Sequence, residues 1–164
     1  MKPIIARPAT RDDYPAILAL NDAAVPAVNR ISIETLAHLH AESCYLGLVC
    51  AGSDIIGFLL ALDETADYAS SNFRFFRDRF DRFVYIDRIV VSPTRQRTGL
   101  GTDLYTDLLA RFEHATSRLA CEVNVEPPNP QSMAFHEHLG FTAVGEQRTE
   151  NGQKKVRLMV KSLT

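Results

Sequence analysis

Residues 95 to 102 read Arg95-Gln96-Arg97-Thr98-Gly99-Leu100-Gly101-Thr102, a run suited to holding an anion on main-chain amides. It follows an apolar stretch with the character of a buried strand. It opens a stretch of helical period, in which Leu100, Leu104, Leu108 and Phe112 fall four apart. Amides at a helix start have no partner within the helix, and the helix dipole favours negative charge there. Gly99 and Gly101 carry no Cβ, so phosphate oxygens could approach the backbone, and Arg95 and Arg97 add charge at the rim. The run is neither of two common phosphate loops. A P-loop requires a lysine that this segment lacks, and a dinucleotide fingerprint requires a third glycine where Leu104 stands. Taken alone, it could also be a plain turn.

Other side chains with chemical capacity are scattered. Asp87 and Glu122 each interrupt an apolar strand, and a charge in that setting faces a cleft or an ion pair, here with Arg88. His136 and His138, like His38 and His40, stand two apart on what read as helices, so neither pair shares a face and no metal site is expected. Cys44, Cys50 and Cys121 are odd in number, form no CxxC pair and sit in apolar stretches, as buried reduced thiols do. From Asn72 to Phe83, arginines alternate with phenylalanines. That pattern can contact an anionic substrate or stack bases, or it can be solvated arginines over buried rings.

The elements that must position these residues can be read from periodicity and turn chemistry. Ile4 to Ala6 read as a strand. Thr10 and Asp13 stand at capping-box spacing before a helix carrying Ile17, Leu18 and Val25 and ending at Pro26. Ser32 to Ala41 suggests a second helix, with Ile33, Leu36 and Leu39 on one face. Tyr45–Ala51 and Ile55–Leu62 form a hairpin across Gly52-Ser53. Residues 63–81 read as a long loop or irregular helix, and Phe83–Val91 as a strong strand closed by Ser92-Pro93. The helix from Gly99 to His114 leads to a strand over Leu119–Val125. Pro127, Pro128 and Pro130 then break the chain before a short helix at Ser132–His138, capped by Gly140. Phe141–Thr149 and Lys154–Lys161 close a last hairpin across Asn151-Gly152.

The bulk properties set limits. A chain of 164 residues with 46% hydrophobic and 23% charged residues suits one globular α/β domain over residues 1–164. A net charge of -2 argues against a whole-protein electrostatic binder of nucleic acid or anionic membrane. The N-terminal residues form no apolar signal segment and no apolar run reaches membrane-spanning length, so a cytoplasmic protein without membrane contact is expected.

The string Ile86 to Gly101, IDRIVVSPTRQRTGLG, resembles the central motif of the GNAT acetyltransferases, with Gln96, Gly99 and Gly101 at its fixed positions. The run from Asn129 through Ser132, Phe135 and His136 to Gly140-Phe141 is similar to the family's second motif, and Arg7-Pro-Ala-Thr10-x-x-Asp13 to its opening. The resemblance implies a mixed, mostly antiparallel sheet flanked by helices, with a splayed strand pair that holds acetyl-coenzyme A. The main chain of Ile89, Val90 and Val91 would pair with the pantetheine arm, and one of its amides would polarise the thioester carbonyl. Gln96, Arg97, Thr98, Gly99, Leu100, Gly101 and Thr102 would take the pyrophosphate. Asn129 and Ser132 would make polar contacts to the coenzyme, and Phe135 would wall its channel. Where the family has a proton-donating tyrosine this chain has His136, whose neutral imidazole still has one N–H to offer the departing sulfur. A base must free the amine's lone pair. Asp87 is the candidate, with Glu122 or water as alternatives.

The function so implied is N-acetylation of a primary amine by direct attack in a ternary complex, with acetyl-coenzyme A as cosubstrate and no metal. The missing tyrosine leaves a non-catalytic coenzyme A sensor or regulatory module as the alternative. The acceptor is a small amine or a protein amine, and a homodimer is compatible with the sequence.

Overall fold

The computed structural model describes residues 4–149 and 151–163. The strands are β1 (Ile4–Pro8), β2 (Tyr45–Ala51), β3 (Asp54–Asp63), β4 (Val84–Val91), β5 (Arg118–Glu126), β6 (Thr142–Thr149) and β7 (Lys154–Ser162). The α-helices are α1 (Tyr14–Ala23), α2 (Ile33–Glu42), α3 (Ser71–Arg77), α4 (Leu100–Phe112) and α5 (Pro130–His138). All seven strands lie in one sheet, ordered β1-β2-β3-β4-β5-β7-β6. Every neighbouring pair is antiparallel except β4 and β5. That parallel ladder holds just two residue pairs, Val84 with Leu119 and Tyr85 with Ala120. Beyond Tyr85 the two strands part, and β4 continues to Val91 and β5 to Glu126 without pairing. The expected sheet with a splayed strand pair is what the chain forms.

Each face of the sheet has its own core. On one, Ile17, Leu36, Leu39, Phe73 and Phe76 from α1–α3 pack on Leu48, Phe58, Leu60 and Tyr85. On the other, Leu100, Leu104 and Leu108 of α4 pack on Val49, Leu59, Ile86 and Cys121, and Phe135 of α5 and Leu139 just after it join them. Ahead of α1 the anticipated capping box is present. Thr10 N–H donates to Asp13 Oδ2 at 2.8 Å, and Arg7 forks onto both carboxylate oxygens at 2.8 Å.

Three elements differ from their sequence reading. The stretch expected as loop or irregular helix contains a regular helix, α3, whose N-cap Ser70 accepts from Phe73 N–H. Its buried rings are too few and too closely flanked by arginines to produce a helical period. Val25 lies beyond the end of α1 and is 42% exposed, so it contributes nothing to that helix's apolar face. Ile33, although helical, is 47% exposed, and Leu36 and Leu39 alone anchor α2.

Candidate active site

The parting of β4 from β5 opens a cleft of about 1260 Å³ that runs from the start of α4, between the two strands, to the segment joining α1 and α2. Residues from the central and second motifs line it, among them Ile89, Val90, Val91, Gln96, Arg97, Gly99, Leu100, Gly101, Thr102, Asn129, Ser132, Phe135 and His136, together with Asp87 and Glu122, whereas the opening motif lies outside it. Thr98 lies in the same loop without lining the cleft; its hydroxyl donates to the Arg95 carbonyl.

At the α4 end, the first intrahelical bond runs from Asp103 N–H to the Gly99 carbonyl at 2.9 Å, so the amides of Leu100, Gly101 and Thr102 precede the ladder. Arg97 and Gly99 both have positive φ, 61° and 87°. The two glycines serve different ends. A Cβ on Gly99 would meet nothing within 4 Å, and its need is the left-handed backbone that starts the helix. A Cβ on Gly101 would stand 2.9 Å from the Phe135 ring. Gly101 therefore lets α5 close against α4, a reason that the sequence reading, built on phosphate approach, did not contain. The loop and α5 also meet through Gln131 Nε2, which donates to Gln96 Oε1 at 3.3 Å.

Asn129 caps α5, accepting from Ser132 N–H at 3.2 Å. One turn on, His136 is buried with both ring nitrogens occupied. Nδ1 lies 2.9 Å from the Ser132 carbonyl and Nε2 2.8 Å from Tyr105 Oη. A carbonyl requires a donor, so Nδ1 carries the proton and Nε2 accepts from the tyrosine. Burial holds the imidazole below its ordinary pKa. The ring is therefore neutral, and its single N–H is spent on its own helix.

The other end of the cleft lies on the α1–α3 face. A bulge in β4 shapes it. Leu60 pairs with Arg88 and Ala61 with Ile86, which leaves Asp87 without a cross-strand partner. Tyr85 and Arg88 consequently face α1–α3, whereas Ile86 and Ile89 face α4 and α5. Simple alternation would have put Asp87 on one face with both Tyr85 and Ile89; the extra residue separates those two. The Asp87 carboxylate accepts from Arg88 Nε at 2.7 Å and from Tyr68 Oη at 2.6 Å. The ion pair with Arg88, an alternative left open by the sequence, is present. Arg88 also donates to Asn21 Oδ1 and to the Asn29 carbonyl.

Glu122 projects from β5 on the same face, partly open to the cleft and enclosed by protein elsewhere. Tyr85 Oη donates to it, 2.8 and 2.6 Å from its two oxygens. Burial, reinforced by the charge of Asp87, pushes this carboxyl up to about 8, against the opposing hydrogen bonds of Tyr85 and Asn72. Such a group exchanges its proton near neutral pH. The surrounding wall comes from residues 68–72, just ahead of the arginine-aromatic run, which itself stays out of the cleft beyond Asn72. Tyr68 and Asn72 line the cleft, while Phe73, Phe76 and Phe83 are fully buried and unable to stack bases. Arg79 lies 3.5 Å over Phe75 and Arg118 4.0 Å over Phe80. Among the described residues no cluster of side chains could ligate a metal, and no helix is long and apolar enough to cross a membrane.

Comparison with known proteins agrees with this geometry. The family model described as "Acetyltransferase (GNAT) family" matches residues 10–141. Phosphinothricin N-acetyltransferase of Streptomyces viridochromogenes is 42% identical over 60 residues, a stretch that covers 37% of this chain and 32% of that enzyme. The ribosomal-protein-S18-alanine N-acetyltransferase of Escherichia coli superposes with a TM-score of 0.75 at 20% identity, over 99% of this chain and 95% of the other. The Salmonella typhimurium yncA structure, solved with its cofactor acetyl-CoA, gives 0.74 at 18% identity over 99% and 95%.

Proposed function

The chain belongs to the GNAT family of acetyltransferases, and from that premise we propose that it moves the acetyl group of acetyl-coenzyme A to a primary amine by direct attack in a ternary complex. The observation that carries the proposal is the parted strand pair, with a loop of free amides at one end and the enclosed, tyrosine-bonded carboxylate of Glu122 at the other. The residues fit the cosubstrate. The α4 amides with Arg95 and Arg97 suit the pyrophosphate. The β4 edge from Ile86 to Val91 has no strand partner on its β5 side, so it can pair with an amide-bearing arm. An amide of Ile89–Val91 would steady the oxyanion as the acetyl carbon becomes tetrahedral, a contribution of a few kcal/mol, roughly.

Glu122 is the base in this reading. It takes a proton from the incoming ammonium, directly or through water, and the freed lone pair attacks the thioester carbon. Asp87, anticipated as the base, has its oxygens held by Arg88 and Tyr68 and instead raises the proton affinity of Glu122. The carbon–sulfur bond then breaks, coenzyme A departs as the thiolate, and the second proton that the nitrogen sheds in becoming an amide passes to that thiolate or to solvent. With a reference thiol pKa of roughly 8.5, it needs modest assistance at most. His136 can give it a hydrogen bond only by releasing the Ser132 carbonyl.

That internally paired histidine is also what favours the second reading, a coenzyme-binding module without turnover. Following thiol release from acetyl-coenzyme A across a panel of primary amines decides between them. Amine-dependent release is expected; tight coenzyme binding with no release from any amine would overturn catalysis.

A further inference from the structure

The acceptor end of the cleft carries one cation with no carboxylate partner among the described residues. Lys154, at the start of β7, is half-buried in its wall. Its ammonium donates to the Pro26 carbonyl at 2.9 Å and to Asn29 Oδ1 at 2.6 Å, both neutral oxygens, and it forms no ion pair among the described residues. On the other side of Asn29, Arg88 donates to that residue's carbonyl at 3.1 Å. The carboxylate partner of Arg88 is Asp87. Two cations thus hold Asn29, Lys154 at its side-chain oxygen and Arg88 at its main-chain carbonyl, and of the two only Arg88 has a carboxylate partner among the described residues.

An amine that enters this space without an anionic group leaves Lys154 uncompensated in a partly desolvated wall. An amine that also bears an anionic group is complementary: its nitrogen faces Asp87 and Glu122, and its anion faces Lys154. We propose that the acceptor is a small amine carrying a carboxylate, an amino acid or a close relative of one, and that Lys154 selects it. The inference rests on the acyl-transfer reading and names the substrate class of that same site.

Lys154 also ties down the segment between α1 and α2, so charge and tether must be separated. Lys154→Gln keeps N–H donors for the same two oxygens and removes the charge. With coenzyme A bound, titration of N-acetylalanine, N-acetylleucine and N-acetylphenylalanine is compared with N-ethyl-, N-isopentyl- and N-phenethylacetamide, their decarboxylated counterparts. This measures recognition without requiring turnover. The expected result is that at least one acid binds tenfold or more tightly than its neutral partner, that Lys154→Gln brings the ratio below threefold, and that Lys154→Arg retains it. Equal affinities in the wild type overturn the inference. So does a preference that survives in Lys154→Gln, or a failure of every acid to bind. Amine-dependent thiol release alongside any of these failures would leave the acetyltransferase reading standing.

Discussion

At the scale of single residues, the proposed chemistry turns on Glu122 and His136. A carboxyl whose folded pKa lies above its unfolded value binds more protons when folded. Its contribution to stability is full below the unfolded value near 4.5 and is lost as pH rises through about 8. Glu122→Gln removes that loss, so its melting temperature should exceed the wild type's at pH 9, the gap closing toward pH 4. The same variant should lose about 10²- to 10³-fold in turnover, and kcat/KM should no longer rise through pH 8. A wild-type-like pH profile would assign the base elsewhere. For His136, alanine leaves the Tyr105 hydroxyl without its acceptor in a buried position and opens a cavity, at about 2–3 kcal/mol. If the ring packs rather than donates, His136→Ala lowers the melting temperature while turnover per folded molecule stays within a few-fold. A large fall in turnover with unchanged coenzyme affinity restores it as proton donor. Neither environment was visible in the chain as written. The phenols that meet these groups, Tyr85 and Tyr105, lie 37 and 31 residues away, and nothing in local spacing announces such contacts.

Elements were far more legible than the contacts between them. The strand before the loop, the helix after it and both hairpins follow from apolar runs, period and turn residues, and these signals are local. The loop itself was found because its glycines and arginines are contiguous. What stayed hidden is set by pairing between elements. The β4 bulge becomes apparent only against β3, and it turned an alternation argument about Asp87 into an ion pair with its own neighbour. Gly101 belongs to this scale too, since its reason is the α4–α5 contact. Gly101→Val should displace Phe135 and weaken acetyl-coenzyme A binding tenfold or more by calorimetry. Gly99→Ala, in open space, should cost about 1 kcal/mol of backbone strain and change affinity less. Equal effects at both positions would mean that phosphate approach, rather than helix packing, governs the pair.

Across the whole molecule, the sheet is two sheets joined at a short seam. Four strands, β1 to β4, lie on one side and three, β5, β7 and β6, on the other, with two ladder pairs between them. The segment between α1 and α2 reinforces the seam, since Asn124 and Lys154 hold its carbonyls from the second half while Arg88 and Asn21 hold Asn29 from the first. A ligand that pairs with β4 along the opening adds bonds where the ladder stops, and it stabilises by RT ln(1 + [L]/Kd), about 2.7 kcal/mol at a hundredfold excess over Kd. Amide exchange in β4 and β5 should therefore slow on adding acetyl-coenzyme A, while exchange in β2 and β3 stays nearly unchanged; uniform slowing throughout would argue against a seam. The consequence reaches past the test tube. If the proposed coenzyme site spans this shortest ladder of the sheet, the protein resists proteolysis in proportion to the supply of its cosubstrate. Its abundance in a cell would then track acetyl-coenzyme A without any dedicated sensor.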